Sequence, residues 1–174
     1  MTDECKTIDP TAFGLFFVAV VSLPLALAGF FGYMGNEWNG TIMAGVGSLL
    51  MVNGFFILLA ALYAYKAGSN FGFVVFGLVS MGVFYAGYGG GDLWINVTFG
   101  IIFLICLIWS YRAKTLKTLT FILLTTALVF IANGCVIETG AEWSWLFLGI
   151  AAILNFILTL YLAFALADEH IRCV

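Results

Sequence analysis

Apolar residues run along this chain in long uninterrupted segments. Six segments of 19 to 28 residues contain no Asp, Glu, Lys or Arg. A helix needs roughly 20 predominantly apolar residues to cross the hydrocarbon core of a bilayer, so each segment is long enough for one crossing. A membrane β-barrel would alternate polar and apolar positions, and runs such as residues 99–108 do not alternate. The pattern predicts an all-α, polytopic membrane protein with six transmembrane helices.

The predicted helices form a single membrane domain, residues 1–174. The connections between them are short, so we expect neighbouring helices to run antiparallel in one bundle. The predicted spans are residues 11–34, 41–65, 71–89, 93–111, 118–137 and 143–167.

The basic residues predict the orientation of the bundle. With six crossings, all six Lys and Arg fall on one side, in the two tails or in the loops that follow helices 2 and 4. The other three loops carry acidic residues and no Lys or Arg. Because basic residues favour the cytoplasmic side of a membrane, both termini are predicted to lie in the cytoplasm.

The composition agrees with a lipid environment and makes several classes of function unexpected. The chain is 64% hydrophobic and 9% charged, whereas a soluble domain is about half apolar and about a quarter charged. The net charge of −3 is spread over both faces, which gives no reason to expect a nucleic-acid partner. Four scattered cysteines without a CxxC spacing predict neither a metal site nor a redox motif. Without a visible nucleophile, base or metal cluster, we expect neither an enzyme nor a cofactor.

Polar residues at membrane depth indicate where function should lie, because they are costly in lipid. Five helices place hydrogen-bonding residues near their midpoints, whereas helix 4 has Ile101 and Ile102 there. We therefore expect helices 1, 2, 3, 5 and 6 to surround a polar waist, with helix 4 turned to lipid or to another subunit. The midpoint residues are Ser22, Asn53, Ser80, Thr125, Thr126 and Asn155.

Asparagine needs more hydrogen-bond partners than the other polar residues, because its amide has both a donor and an acceptor. Asn53 and Asn155, and Asn133 nearer the outer end, are candidate pore-lining residues. The alternative is that their amides join helices without meeting a solute. No Asp, Glu, Lys, Arg or His lies in the predicted spans. This absence favours a small solute that is neutral or whose charge is compensated.

Small residues recur at a spacing of four in two places. Gly40, Ala44 and Ser48 do so on helix 2, and Gly68 and Gly72 do so at the start of helix 3. Such spacing lets helices approach closely in lipid. Packing within the chain and packing between subunits both remain open.

The start of helix 1 combines an anion-friendly feature with a family resemblance. Asp9 precedes Pro10 at the first helical turn, which is either an ordinary helix cap at the membrane interface or a helix start whose backbone N–H groups face an anion. The stretch Asp9–Leu15 resembles the Asn-Pro-Ala-Pro-Leu-Gly-Leu hallmark of the acetate uptake transporter family, the succinate–acetate permeases. Tyr65–Gly72 is similar to that family's Tyr-Lys-x-Gly-Asn-Thr-Phe-Gly.

The resemblance implies a hexamer in the cell membrane with a separate pore in each protomer, which carries acetate and also succinate. In the family a Phe, a Tyr and a Leu narrow the pore, and the matching positions here are Val18, Val79 and Leu124. Asp9 replaces the hallmark Asn, and Ala12 replaces the second Pro. The full set of predicted site residues is Asp9, Phe13, Phe17, Val18, Ser22, Asn53, Val79, Ser80, Leu124, Thr125, Asn133 and Asn155.

Three functional hypotheses follow from these patterns. The first is a channel or proton-coupled transporter for acetate or a similar short monocarboxylate, with the lipid bilayer and a small carboxylic acid as its partners. The second is a passive channel for a small neutral solute such as urea or a short amide. The third is a membrane scaffold without a pore.

Overall fold

The computed structural model describes residues 10–89 and 91–168. Within these residues the chain folds into six α-helices and no strand, and each helix is long and apolar enough to cross a membrane. The protein is therefore a multi-pass, all-α membrane protein. Asp9, a predicted site residue, lies outside the described residues. The helices are α1 (Pro10–Tyr33), α2 (Trp38–Lys66), α3 (Asn70–Gly87), α4 (Leu93–Arg112), α5 (Lys117–Thr139) and α6 (Glu142–Ala167).

The helix bounds lie close to those predicted from the apolar runs. The largest difference is at α2, which begins at Trp38 and not at Thr41. Polar residues can occupy this first turn because it lies at the end of the apolar segment. Local hydrogen bonds mark other boundaries. Asp92 caps α4 by accepting from the Ile95 N–H at 2.7 Å, and Gly140 ends α5 with a φ of 59°.

The helices are arranged as a ring in chain order. α1 makes its most extensive contact with α6 and also packs on α2; α2 packs on α3, α4 on α5 and α5 on α6. Contact between α3 and α4 is the weakest in the ring. The fully buried side chains inside this ring include Leu15, Ile57, Phe103, Leu123 and Leu162.

Glycines set how closely α1 and α6 approach each other. A Cβ added at Gly29 would collide with the backbone of Gly149. Gly29 therefore admits no larger residue without moving the helices apart, and a Cβ at Gly149 would lie only 3.1 Å from the Phe30 ring. This close approach accompanies the most extensive helix contact in the bundle.

The two small-residue patterns have different outcomes. Gly40, Ala44 and Ser48 are exposed, and a Cβ added at Gly40 would meet nothing within 4 Å. These residues do not mediate packing within the described chain. Gly72 is buried and would place a Cβ 3.1 Å from that of Ala64, whereas Gly68 adopts a φ of 79° in the turn between α2 and α3. The second pattern thus serves the α2–α3 connection.

Charged residues separate the two ends of the bundle. The described basic residues all lie at the end where α1, α3 and α5 begin, which we call the basic end; Asp168 also lies there. The opposite end carries four carboxylates. The basic residues are Lys66, Arg112, Lys114 and Lys117, and the opposing acids are Glu37, Asp92, Glu138 and Glu142.

Candidate functional site

Two cavities follow each other along the interior of the ring. The first has a volume of about 230 Å³ and reaches the basic end, where its lining includes the hydroxyl residues Thr11, Ser69 and Thr115. The second has a volume of about 60 Å³ and is lined nearer the acidic end by Leu25 and Asn133. On α1 alone the lining runs from Thr11 to Leu25. That is about 21 Å at 1.5 Å of helical rise per residue, compared with roughly 30 Å of hydrocarbon.

Three helix N-termini surround the first cavity at the basic end. α1 and α3 contribute lining residues from their first turns or caps, and α5 contributes Leu119. The first N–H groups of a helix have no partners within the helix and carry the positive end of its dipole. α5 begins without a side-chain cap. An anion at this end would therefore meet partial positive charge from three directions, and no negatively charged side chain lines the cavity among the described residues.

The turn between α2 and α3 holds one of these N-termini in place. The Ser69 N–H donates to the Ala64 carbonyl at 2.9 Å, and the Ser69 hydroxyl accepts from the Gly72 N–H at 3.1 Å. The positive φ of Gly68 allows the chain to reverse here. These residues belong to the predicted Tyr65–Gly72 motif, so the motif builds one wall of the first cavity.

Three residues line both cavities and therefore lie between them, and we call this group the neck: Val18, Val79 and Thr126. All three side chains are buried. The two valines are apolar and β-branched, so they offer a solute no hydrogen bond. Thr126 provides the only side-chain hydroxyl among the residues shared by the two cavities.

A hydrogen-bonded cluster joins α1, α5 and α6 beside the neck. The Asn155 amide Nδ2 donates to the Ser22 hydroxyl at 3.0 Å. Its Oδ1 accepts from the Thr125 hydroxyl at 2.9 Å and from the Thr126 hydroxyl at 3.2 Å. Asn155 and Ser22 also line the second cavity. The cluster therefore both holds three helices together and presents polar atoms to the passage.

The α2–α3 side of the bundle is arranged differently at the same predicted depth. The Asn53 amide Nδ2 donates to Leu49 of its own helix at 2.9 Å, and its buried Oδ1 has no hydrogen-bond partner among the described residues. Ser80 donates to the Gly54 carbonyl at 2.9 Å and lines a separate groove on the outer face of α2 and α3. Neither residue lines the two cavities. The residues predicted to form one polar waist therefore form two separate groups, one on the α1–α5–α6 side and one on the α2–α3 side.

Helix α4 contributes to the interior, contrary to the expectation that it would stand apart from the waist. Its midpoint residue Ile101 does face outward, but Phe103 is fully buried and lines the first cavity. Nearer the acidic end, the Asn133 amide donates to the Asn96 Oδ1 at 3.1 Å. The residue at the midpoint of a helix shows the character of only one face of that helix. In α4 the inward-facing residue is Phe103, two positions after Ile101.

The remaining predicted site residues lie away from the passage. Phe13 and Phe17 pack edge-to-face with their ring centroids 4.8 Å apart, and Phe17 stacks on Phe56 of α2 at 4.6 Å. Leu124 is half-buried and lines neither cavity, whereas the adjacent Leu123 lines the first. The described residues contain no group of three or more His, Cys, Asp or Glu side chains that could hold a metal ion.

The chain is similar in structure to the bacterial acetate channel SatP. The two share 19% sequence identity with a TM-score of 0.73, over 97% of this chain and 98% of the channel. No protein-family model matches the chain, and no curated protein matches it in sequence. The likeness shows that the two proteins share a fold along nearly their whole lengths.

Several lining residues were not among the predicted site residues. Leu15, Phe76 and Phe103 are ordinary apolar residues, and nothing in their type separates them from lipid-facing neighbours. Thr126 was detectable, because it is a polar residue at the predicted midpoint of α5. Thr125 beside it has the same chemistry, so only the packing of α5 shows which of the two lines both cavities.

Proposed function

We propose that this protein is a channel or proton-coupled transporter for acetate or a similar short monocarboxylate, with succinate as a larger candidate. The observation that carries the proposal is the pair of adjoining uncharged cavities that begins where three helix N-termini converge. The fold shared with an acetate channel supports it. We also propose, from the distribution of basic residues, that the basic end faces the cytoplasm and that the membrane is the cell membrane.

The basic end suits an anion that approaches from water. Four basic residues are exposed at the basic end of the bundle, which the first cavity reaches: Lys66, Arg112, Lys114 and Lys117. Such charges raise the local concentration of anions within a Debye length of roughly 8 Å at physiological ionic strength. Deeper in the passage the lining carries no charge among the described residues. A carboxylate would therefore be attracted at the mouth and would cross the neck with a proton or as the neutral acid.

The dimensions of the passage favour a small solute. Cavities that hold drug-sized ligands are about 300–1,000 Å³, and both cavities here are smaller. The second, at about 60 Å³, has room for only a few water molecules. A two-carbon acid matches this scale better than an extended metabolite.

A passive channel for a small neutral solute is the second candidate. The observation that favours it is the same uncharged lining, in which the hydroxyls of Thr11, Ser69, Thr115 and Thr126 would serve urea or a short amide equally well. The two candidates differ in whether the solute carries a carboxyl group.

Uptake by liposomes that contain the purified protein distinguishes these functions. We expect uptake of labelled acetate above that of empty liposomes, with a larger protein-dependent part at acidic pH, because a protonated or proton-accompanied solute avoids the cost of moving a bare charge. Empty liposomes measured at each pH control for acetic acid that crosses lipid directly.

Two outcomes would contradict the proposal. Swelling in urea without protein-dependent acetate uptake would favour the neutral-solute channel. Uptake of neither solute would favour the pore-less scaffold. A competition experiment adds a test of size. If propionate inhibits acetate uptake more strongly than larger acids do, the result fits the small second cavity.

We also propose that the protein is a homo-oligomer, a hexamer by its family resemblance. The exposed small residues Gly40, Ala44 and Ser48 on α2 are compatible with a close helix contact between subunits. Native mass spectrometry of the detergent-solubilised protein tests the oligomeric state directly, and a monomer would contradict it.

A further inference from the structure

Thr126 combines three properties at the neck. It lines both cavities, it supplies the only side-chain hydroxyl shared by both, and it is 6% exposed. Among the described residues its hydroxyl has one hydrogen-bond partner, the Asn155 Oδ1 at 3.2 Å. A solute that passes from one cavity to the other must come within reach of this hydroxyl, because the other two neck residues are Val18 and Val79.

The bond between Thr126 and Asn155 can be exchanged without leaving a buried group unpaired. Asn155 Oδ1 also accepts from the Thr125 hydroxyl at the shorter distance of 2.9 Å. The Asn155 Nδ2 stays bonded to Ser22 at 3.0 Å. If the Thr126 hydroxyl turns toward the neck while Thr125 gives its one proton to Asn155 and not to the Ile122 carbonyl at 3.0 Å, the Asn155 amide keeps a partner on each of its two polar atoms. The usual penalty for an orphaned buried acceptor does not arise.

The exchange favours the oxygen of a carboxylate over that of an amide or a hydroxyl when the solute passes the neck as the anion accompanied by a proton. A hydrogen bond to an ionised acceptor is shorter and roughly twice as strong as one between neutral groups. The 3.2 Å bond to Asn155 lies at the long end of the range for a hydroxyl donor. A carboxylate oxygen would thus be a better acceptor for the Thr126 hydroxyl than the Asn155 Oδ1 that the hydroxyl leaves.

We infer that Thr126 is a specificity-determining residue of the neck, whose hydroxyl leaves Asn155 to donate to a carboxyl oxygen of the passing solute. This inference rests on the proposed function, since it assigns a residue to the passage of a short carboxylic acid. It separates the roles of two adjacent threonines: Thr126 serves the solute, and Thr125 holds Asn155.

Paired uptake measurements test this assignment. Liposomes with wild type, Thr126→Val, Thr126→Ser and Thr125→Val are compared for uptake of labelled acetate and labelled acetamide. We expect Thr126→Val to lower acetate uptake about tenfold or more, as for the loss of one hydrogen bond to a charged group. Acetamide uptake should fall less, so the acetate-to-acetamide ratio drops. Thr126→Ser keeps the hydroxyl and should restore the ratio.

The other variants separate a specificity role from a structural one. Thr125→Val should lower the melting temperature without moving the acetate-to-acetamide ratio. Thr98→Val is the matched control for the substitution itself, because Thr98 is exposed on α4 and bonds to its own helix at 2.7 Å. If Thr126→Val does not fold, Thr126→Ala removes the same hydroxyl without overfilling the neck.

Each result either supports or overturns the inference. Wild-type acetate uptake with an unchanged ratio in Thr126→Val overturns the role of Thr126 and leaves the proposed function standing. Equal shifts of the ratio in Thr125→Val and Thr126→Val also overturn it, because the cluster would then act only as a structural unit. No wild-type acetate uptake overturns the proposed function, and this inference with it.

Discussion

Asn53 and Asn155 are both buried asparagines near the midpoint of a helix, yet their surroundings differ. Asn155 makes hydrogen bonds through both polar atoms of its amide, to side chains of α1 and α5. Asn53 bonds only to the Leu49 carbonyl of its own helix and keeps a buried Oδ1 without a partner among the described residues. Only Asn155 lines one of the cavities.

The difference shows that depth in the membrane does not by itself assign a role to a polar residue. On the α1–α5–α6 side, several hydroxyls converge on one amide next to the neck. On the α2–α3 side, Ser80 bonds to the Gly54 backbone and Asn53 to its own helix. The hydrogen bonds between helices in the α1–α5–α6 cluster all involve the Asn155 amide and would be lost with it. The Ser80 bond on the α2–α3 side does not involve Asn53 and would remain without it. Substitutions on the two sides should therefore have unequal effects.

Asn155→Leu should have the largest effect. It removes the acceptor of Thr126 and Thr125 and the donor to Ser22, and it places a branched apolar group on the second cavity. We expect acetate uptake to fall about tenfold or more and the free energy of unfolding to fall by about 1–2 kcal/mol. The loss of stability is limited because Ser22 and Thr125 retain bonds to carbonyls of their own helices.

Liposome uptake and thermal melting in detergent measure the two quantities. Asn155→Gln, which retains the amide, serves as the comparison. Wild-type uptake in Asn155→Leu would mean that the α1–α5–α6 cluster is only a helix contact.

Ser22→Ala should have an intermediate effect. The Asn155 Nδ2 loses its acceptor at 3.0 Å, so the amide is free to rotate away from the neck. We expect a loss of about 1 kcal/mol in stability and a reduction of uptake of roughly twofold to fivefold. Ser80→Ala is the matched change on the other side, and it should leave uptake within about twofold because Ser80 does not line the passage. Equal losses in the two variants would remove the distinction between the sides.

The existence and length of the helices could be predicted, because the bilayer sets both. A span must be about 20 apolar residues long, and the chain meets this condition six times between charged or turn-forming residues. The predicted start of helix 3 at residue 71 lies one residue from the observed start at Asn70, where the Ser69 hydroxyl caps α3 by accepting from the Gly72 N–H. The orientation of the bundle follows only from basic residues, and it remains a prediction.

The sequence does not predict which face of each helix points inward, and the reason is physical. Lipid is as apolar as the protein core, so a membrane helix lacks the polar outer face that orients a helix in a soluble protein. Successive residues on a helix point about 100° apart. A shift of one position therefore moves a side chain from the passage to a neighbouring helix. Leu123 lines the first cavity while the predicted Leu124 does not, whereas Val18 and Val79 line both cavities.

Asn53→Leu should have a smaller effect than Asn155→Leu or Ser22→Ala. Asn53 lines neither cavity, and its one hydrogen bond goes to a carbonyl of its own helix. Replacement by an apolar residue of similar size also removes a buried oxygen that has no partner among the described residues. We expect uptake within about twofold of wild type and a free energy of unfolding that is unchanged or higher by up to about 1 kcal/mol.

A large loss of uptake in Asn53→Leu would reverse the comparison between the two sides. Two further variants then identify the reason. Asn53→Asp keeps the size of the side chain and the Oδ1 acceptor but replaces the Nδ2 donor with a second oxygen, whereas Asn53→Ala removes every polar atom. If the first retains uptake and the second loses it, the unpartnered oxygen of Asn53 meets the solute or its water, and the passage extends to α2. If both retain uptake while the Leu variant does not, the Leu side chain obstructs the interior, and Asn53 has only a packing role.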